Sequence, residues 1–288
     1  MYAVQRQRIR RSATLQRPVQ LGLRYLVCGV AAFFVLIPIV TVVIGGFKTN
    51  GELANTPFSL PVVWHWETYA GIITQGSFWL AIENSLLITL ATVGLLLVIS
   101  CPCAFVLARL PFRGRELIFN IILFGLLFPV SMATLPLYIT LRNMGLLNSL
   151  AGVILPQAAF GLPTTILILR NFFRAIPREL EDATYIDGGS PIDFFWRILL
   201  PLARPSLAVV SMLVMVQSWN NFLLPLLVLN DASQWTIPLG VMQFQGEHSA
   251  DWATIMAYIT LTMIPAIIFY LFAERHLIAG LSAGAVKG

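Results

Sequence analysis

The chain has 288 residues, 58% of them hydrophobic and only 11% charged, with a mean hydropathy of +0.81 and a net charge of +5. Soluble domains carry about 25% charged residues, so this composition excludes an ordinary water-soluble globule and leaves an integral membrane protein. The chain is too short for six spans plus a sizeable soluble domain, and its pI near 9.4 fits basic faces beside anionic lipid rather than nucleic-acid binding.

Apolar runs long enough to cross a hydrocarbon core of ~30 Å recur at residues 24–46, 79–107, 116–138, 151–170, 205–228 and 252–273. They predict an all-α integral membrane protein with six transmembrane helices over residues 24–273, a basic tail at 1–23 and a short tail at 274–288. Residues 1–46 also invite a signal-peptide reading. The apolar run exceeds a usual h-region and no small-x-small site follows Gly45-Gly46-Phe47-Lys48, so an uncleaved first span is expected.

Arginine sorts the orientation. Arg6, Arg8, Arg10, Arg11, Arg17 and Arg24 precede or open the first span, and Arg109, Arg113 and Arg115 follow the second. Arg170, Arg174, Arg178, Arg197 and Arg204 follow the fourth, and Arg275 and Lys287 lie in the C-terminal tail. The other connections hold only Lys48 and Arg142. This asymmetry predicts that both termini and the two arginine-bearing loops are cytoplasmic.

The two long external connections, 47–78 and 229–251, are rich in turn formers, and part of the first is expected to lie along the interface as a short helix. Trp64, Trp66, Trp79, Trp235 and Trp252 read as interfacial anchors, with contact to a partner as a second reading. The spans contain Pro38, Pro102, Pro129, Pro136, Pro156, Pro163, Pro225 and Pro265. Each removes an intrahelical hydrogen bond, through ordinary kinking or through helices bent around a water-filled route. Cys28, Cys101 and Cys103 lie in apolar stretches without nearby metal-ligand companions and read as small buried hydrophobes. His65, His248 and His276 are dispersed, so no metal spacing or triad emerges.

The connection at about 174–204 is the most informative. Pro177 suits a helix start, and Glu179, Glu181 and Asp182 then fall in early turns, where the helix dipole favours negative charge. Leu180 and Ala183 form a small apolar patch, and Gly188-Gly189 stops the helix. Ser190, Pro191 and Asp193 restart one with a capping box. Phe194, Phe195, Ile198 and Leu199 give that second helix an apolar face until Pro201 is expected to break it. The product is a helix–Gly turn–helix along the membrane surface. Local physics alone favours a solvated amphipathic linker.

The run Asp182-Ala183-Thr184, then Gly188, then Ile198-Leu199-Leu200-Pro201, resembles the EAA loop of ABC importer permeases, with Asp187 completing the stretch. Two letters depart: Asp182 for glutamate and Thr184 for the second alanine. Surrounding words resemble the MalG-like carbohydrate branch of that family. They are Asn84-Ser85-Leu86, Leu135-Pro136-Leu137-Tyr138, Gly145-Leu146-Leu147-Asn148-Ser149, Trp219-Asn220-Asn221-Phe222 and the terminal Gly280 to Gly288.

The resemblance implies a permease of the cell inner membrane that forms half of a translocation path, with a second, related permease supplying the other half. It also implies a pair of ABC ATPase subunits below and an extracytoplasmic solute-binding protein above. The chain itself would bind no cofactor, ATP and Mg belonging to the ATPases, and no Gly-x-x-x-x-Gly-Lys-Ser/Thr phosphate loop occurs here. The helix at 178–188 would be the coupling helix. Glu181, Asp182, Ala183, Thr184, Asp187, Gly188 and Pro201 are its candidate ATPase-coupling residues: Asp182 as charged contact, Ala183 for close approach, Gly188 for the turn.

For the solute route, polar groups inside apolar spans are costly unless they face a cavity or a partner. Gln217, Ser218, Asn220 and Asn221 lie roughly 18–24 Å along the fifth span, and Ser131 and Thr134 lie near Pro129 and Pro136 in the third. Amides and hydroxyls suit sugars, and Trp219 could stack on a sugar face. Hydrogen bonding between permease helices is the competing role. A membrane-embedded enzyme would need acid, base or metal ligands gathered on one face. A self-contained secondary transporter would want paired ionisable residues at mid-membrane, where the spans hold almost none, Glu83 sitting near an outer end.

Overall fold

A computed structural model describes the backbone of residues 2–246 and 250–285 and the side chains of residues 21, 22, 24–246 and 250–271. The side chains of Arg6 to Arg17, His248, Arg275, His276 and Lys287 lie outside the described residues. Among those described, the chain is helical and without strands. The helices are α1 (Tyr2–Gly45), α2 (Asn50–Asn55), α3 (Trp66–Ile73), α4 (Gly76–Arg109), α5 (Arg115–Phe124), α6 (Thr134–Asn143) and α7 (Leu150–Ala175). They continue as α8 (Glu179–Ile186), α9 (Pro191–Asp193), α10 (Leu200–Leu202), α11 (Arg204–Trp219), α12 (Leu223–Val228), α13 (Ile237–Gly240) and α14 (Trp252–Ala285).

Among the described residues four stretches are long and apolar enough to cross a membrane: Arg24–Gly45, Gly76–Arg109, Leu150–Ala175 and Trp252–Leu271. Two bent pairs could raise the number to six. The expected third span is one of them. Arg115–Leu127 and Val130–Asn143 meet at 83°, and the break falls at Phe128-Pro129, where Pro129 adopts an extended backbone. Pro136 does not kink this segment: it sits in the first turn of α6, where its missing N–H costs nothing. The expected fifth span is also interrupted. α11 ends at Trp219, and α12 starts at Leu223 with Pro225 in its first turn.

The chain divides into two compact units, one drawn from Met1–Ile72 and His248–Thr260, the other from Ile73–Glu247 and Leu261–Gly288. In the first, Lys48 is buried and its Nζ donates to the carbonyls of Thr56 (2.7 Å) and Pro57 (3.2 Å). A capping box of Thr49 and Glu52 starts α2, and Asn50 donates to Asp251 at 3.1 Å. Two short helices, α2 and α3, stand where one was expected after the first span. The apolar stretch of α1 exposes Tyr25, Phe33 and Phe34, which lipid tolerates as well as a protein core does.

In the second unit α4 packs along α7, and α11 covers both. Leu96, Phe105, Leu169, Phe173, Phe194, Leu199 and Val210 form one buried cluster, and Ile88, Val153, Leu224, Val228 and Leu239 form another. Two of the family-like words turn out to be joints. Asn84 donates to the carbonyls of Ser233 (2.9 Å) and Trp235 (3.1 Å), and Ser85 Oγ accepts from the Ile237 N–H at 2.8 Å. Asn148, left-handed at φ 53°, accepts from the N–H groups of Asn230 (3.1 Å) and Asp231 (2.9 Å). Trp64, Trp66, Trp79 and Trp252 are exposed, as interfacial anchors should be, whereas Trp235 packs partly against the second cluster.

Candidate functional site

The connection after α7 folds as helix, glycine turn, helix. The N–H groups of Glu181 and Asp182 bond the Arg178 carbonyl at 2.9 and 3.0 Å, and Glu179, Glu181 and Asp182 load the first turn of α8 with negative charge. The helix ends in a Schellman motif: Gly188 N–H donates to Tyr185 O (3.1 Å) and Gly189 N–H to Thr184 O (2.8 Å). Gly188 holds φ +79° with open space around it, so its backbone conformation demands glycine. Gly189 is needed for a different reason: a Cβ there would stand 2.7 Å from Thr184 Cγ2 and 2.9 Å from Thr184 O.

Ser190 then caps the next helix. Its Oγ accepts from Asp193 N–H (3.2 Å), and the Asp193 carboxylate accepts from Ser190 N–H (3.0 Å), completing the expected capping box. The second helix does not stop at Pro201, however. A π-helical segment, Phe194–Leu199, precedes Pro201, and Leu200 N–H bonds Phe195 O five residues back. The widened turn makes room for the proline ring, and the helix continues to Leu202 before bending by 72° into α11.

The seven candidate coupling residues do not share one face. Asp182, Ala183, Asp187 and Gly188 are exposed, together with Ile186 at 85%. Ala183, Thr184, Asp187 and Gly188 line a cleft of about 430 Å³ with Leu180, Asp193, Arg197 and Ile198. The second helix thus contributes three residues that were not among the coupling candidates; the Asp193–Arg197 pair at i, i+4 (3.6 Å) was the available signal. Thr184 is buried against Gly189, its hydroxyl donating to Leu180 O at 2.8 Å. The departure from alanine is therefore a largely buried side chain at the edge of that cleft. Pro201 is exposed but lies outside the cleft.

Glu181 also turns inward, its side chain 12% exposed. One carboxylate oxygen accepts from Tyr185 Oη at 2.9 Å, and the other lies 3.5 Å from Arg109 Nη1. Burial, reinforced by this bond to Glu181, pushes the Tyr185 hydroxyl above its ordinary range, so it remains a donor. Arg109 ends α4 with its side chain 2% exposed. Its Nη2 donates to Phe173 O at 2.6 Å and to Ile176 O, capping the end of α7. Arg170, within α7 rather than in the loop beyond it, returns the arrangement. Its Nε donates to Leu107 O in the last turn of α4 at 3.0 Å, its Nη2 bonds Glu116, and its guanidinium lies 3.8 Å from the Phe119 ring centroid. In the sequence both arginines had served only to orient the chain.

The solute-path candidates also separate. Gln217 and Asn221 line a cleft of about 180 Å³ with Ser218, Thr92, Gln157 and Val130. Within it Ser218 Oγ donates to Gln157 Oε1 at 2.6 Å, and Asn221 Oδ1 accepts from Leu224 N–H at 3.1 Å, starting α12. Asn220 faces a smaller recess with Trp219 and Met215, its amide donating to Val216 O at 2.9 Å. Trp219 itself is 6% exposed and packs edge-to-face on Phe269, ring centroids 5.4 Å apart, so its indole fills space between helices instead of offering a face for stacking. Thr134 donates back to Ser131 O at 2.8 Å, and neither residue lines the cleft that holds Gln217.

Residues 97–282 match the family described as binding-protein-dependent transport system inner membrane component. The chain is 35% identical over 255 residues to the diacetylchitobiose uptake system permease protein NgcG of Streptomyces coelicolor, covering 88% of this chain and 84% of that protein. It is 33% identical over 261 residues to the arabinooligosaccharides transport system permease protein AraQ of Halalkalibacterium halodurans, covering 89% and 93%. The crystal structure of a bacterial ABC transporter importing the acidic polysaccharide alginate shares the fold, with a TM-score of 0.77 at 23% identity over 88% of this chain and 94% of that one. The chain thus belongs to the binding-protein-dependent transport system inner membrane components, the multi-pass permeases of ABC importers.

Proposed function

We propose that this permease forms one half of the translocation path for a sugar or sugar derivative, with a related permease as the other half. The uptake names of its relatives, diacetylchitobiose and arabinooligosaccharides, support a carbohydrate substrate. In this reading the bent pair Arg115–Leu127 and Val130–Asn143 is the third span and α11 continued by α12 the fifth, giving six, with both termini in the cytoplasm, as the arginine distribution favours. Two ATPase subunits dock beneath and hold ATP and Mg, an extracytoplasmic binding protein delivers the solute, and this chain carries no catalytic site.

The observation that carries the reading is the outer face of α8. Asp182, Ala183, Ile186 and Gly188 project from a capped, charge-loaded helix with nothing among the described residues covering them. A small residue flanked by a carboxylate and an isoleucine suits insertion into a groove of a partner. Closure of the ATPases on ATP would draw the two coupling helices together and shift the spans from inward-open toward outward-open states. Gln217 and Asn221 are the solute contacts favoured by the cleft, with Asn220, Ser131 and Thr134 on separate surfaces.

Cysteine placed at Ala183 tests the docking. Cross-linking to an ATPase subunit in membranes holding the whole complex is the expected result. Absence of any such product, while a cysteine at Trp64 stays equally unreactive toward the ATPase, would remove the coupling role.

A further inference from the structure

The buried Arg109–Glu181 contact is not used by the docking face. It sits behind that face, joining α8 to the two longest packed helices of the unit. Arg109 is the last residue of α4, yet its guanidinium satisfies Phe173 O and Ile176 O at the end of α7 and reaches Glu181 in α8. It also lies 5.9 Å from the ring centroid of Phe194, where the π-helical segment begins. Helix ends leave carbonyls without intrahelical partners, and here each of two helices supplies the arginine that caps the other, Arg109 for α7 and Arg170 for α4. The ends of α4 and α7 are thereby locked, and Glu181 fastens α8 to the same lock.

We propose that Arg109 is the positioning residue that makes α8 move as one body with the ends of α4 and α7. The inference rests on the reading of α8 as the ATPase-facing helix and adds how its displacement reaches the spans. Without the latch, α8 keeps its chain connection to α7 through Ile176-Pro177-Arg178 and its packing on the second helix of the segment, and loses the ion pair that ties it directly to the ends of α4 and α7. A guanidinium suits the role because its planar fork donates in several directions at once; an ammonium has the charge but not the fork. Glu181 is the complementary half: Tyr185 Oη holds one carboxylate oxygen and leaves the other for Arg109.

The test uses the full complex with binding protein in proteoliposomes, measuring ATP hydrolysed per solute imported. Glu181→Gln keeps the shape of α8 and its hydrogen bond with Tyr185 but removes the ion pair. The expected result is an increase of about threefold to thirtyfold in ATP consumed per solute, the range for residues that modulate coupling between distant sites, with complex assembly unchanged. Arg109→Gln should do at least as much, Arg109→Lys less, and the double Arg109→Gln, Glu181→Gln variant no more than Arg109→Gln alone. If Arg109→Gln does not assemble, Glu181→Gln carries the test by itself.

A cysteine at Ala183 accompanies every variant. A preserved ATPase cross-link with a parental ATP-to-solute ratio in Glu181→Gln overturns the latch. Independent, multiplying effects in the double variant overturn it too. Loss of the cross-link in the otherwise unaltered chain instead overturns the docking reading on which the latch rests.

Discussion

Replacing Gly188 by valine probes the turn between α8 and α9 through the backbone alone. At φ +79°, with open space around the position where a Cβ would stand, the side chain meets no neighbour; the whole penalty is conformational. A left-handed L-residue costs roughly 1–2 kcal/mol, with β-branching placing valine at the upper end. Relaxing φ instead would sacrifice the bonds from Gly188 N–H to Tyr185 O and from Gly189 N–H to Thr184 O. Either way the native turn loses about 5- to 30-fold in population. Asparagine, which enters the left-handed region more readily, should retain most function. In proteoliposomes Gly188→Val is expected to insert and assemble normally yet import little solute per ATP, with Gly188→Asn close to the parent. Equal, parental transport by both variants would refute the claim that this dihedral sets the coupling geometry.

The remaining predictions concern the spans. Gln217→Leu should weaken solute uptake without disturbing ATPase docking, and by more than Asn220→Leu, because only Gln217 shares the larger polar cleft with Asn221; initial import rates against solute concentration would show it, and the reverse order would place the route on the Asn220 side. Trp219→Ala should cost stability of about 3–5 kcal/mol through the cavity left beneath Phe269, visible as a lower unfolding temperature in detergent. A variant with normal stability and an altered solute preference would return Trp219 to the route.

Much of the candidate coupling segment was legible because its signals are local. Capping by Ser190 and Asp193, acidic residues in the first turn of α8 and a glycine at the positive-φ stop are decided within a few residues, and each stands where local chemistry puts it. Prolines misled for the converse reason. Pro136 and Pro225 occupy first turns, whereas Pro201 is passed by a π-helical segment. A proline marks a missing donor, but whether the chain bends, restarts or widens there depends on what packs around it.

By itself the sequence determined the membrane class, through apolar run length against bilayer thickness, and the helix–turn–helix of the coupling segment, through capping chemistry. Only the tertiary structure decided which of those residues look outward. Glu181 and Thr184 are one turn or less from Asp182 and Ala183, yet they face Arg109 and Gly189 instead of solvent. It also decided that two arginines counted for orientation are buried caps on each other's helices, and that the Trp219 ring packs against Phe269. The reason is distance along the chain. Arg109 and Glu181 are brought together only when α4 and α7 pack, and no local pattern encodes which carbonyl or ring a long side chain will meet once they do.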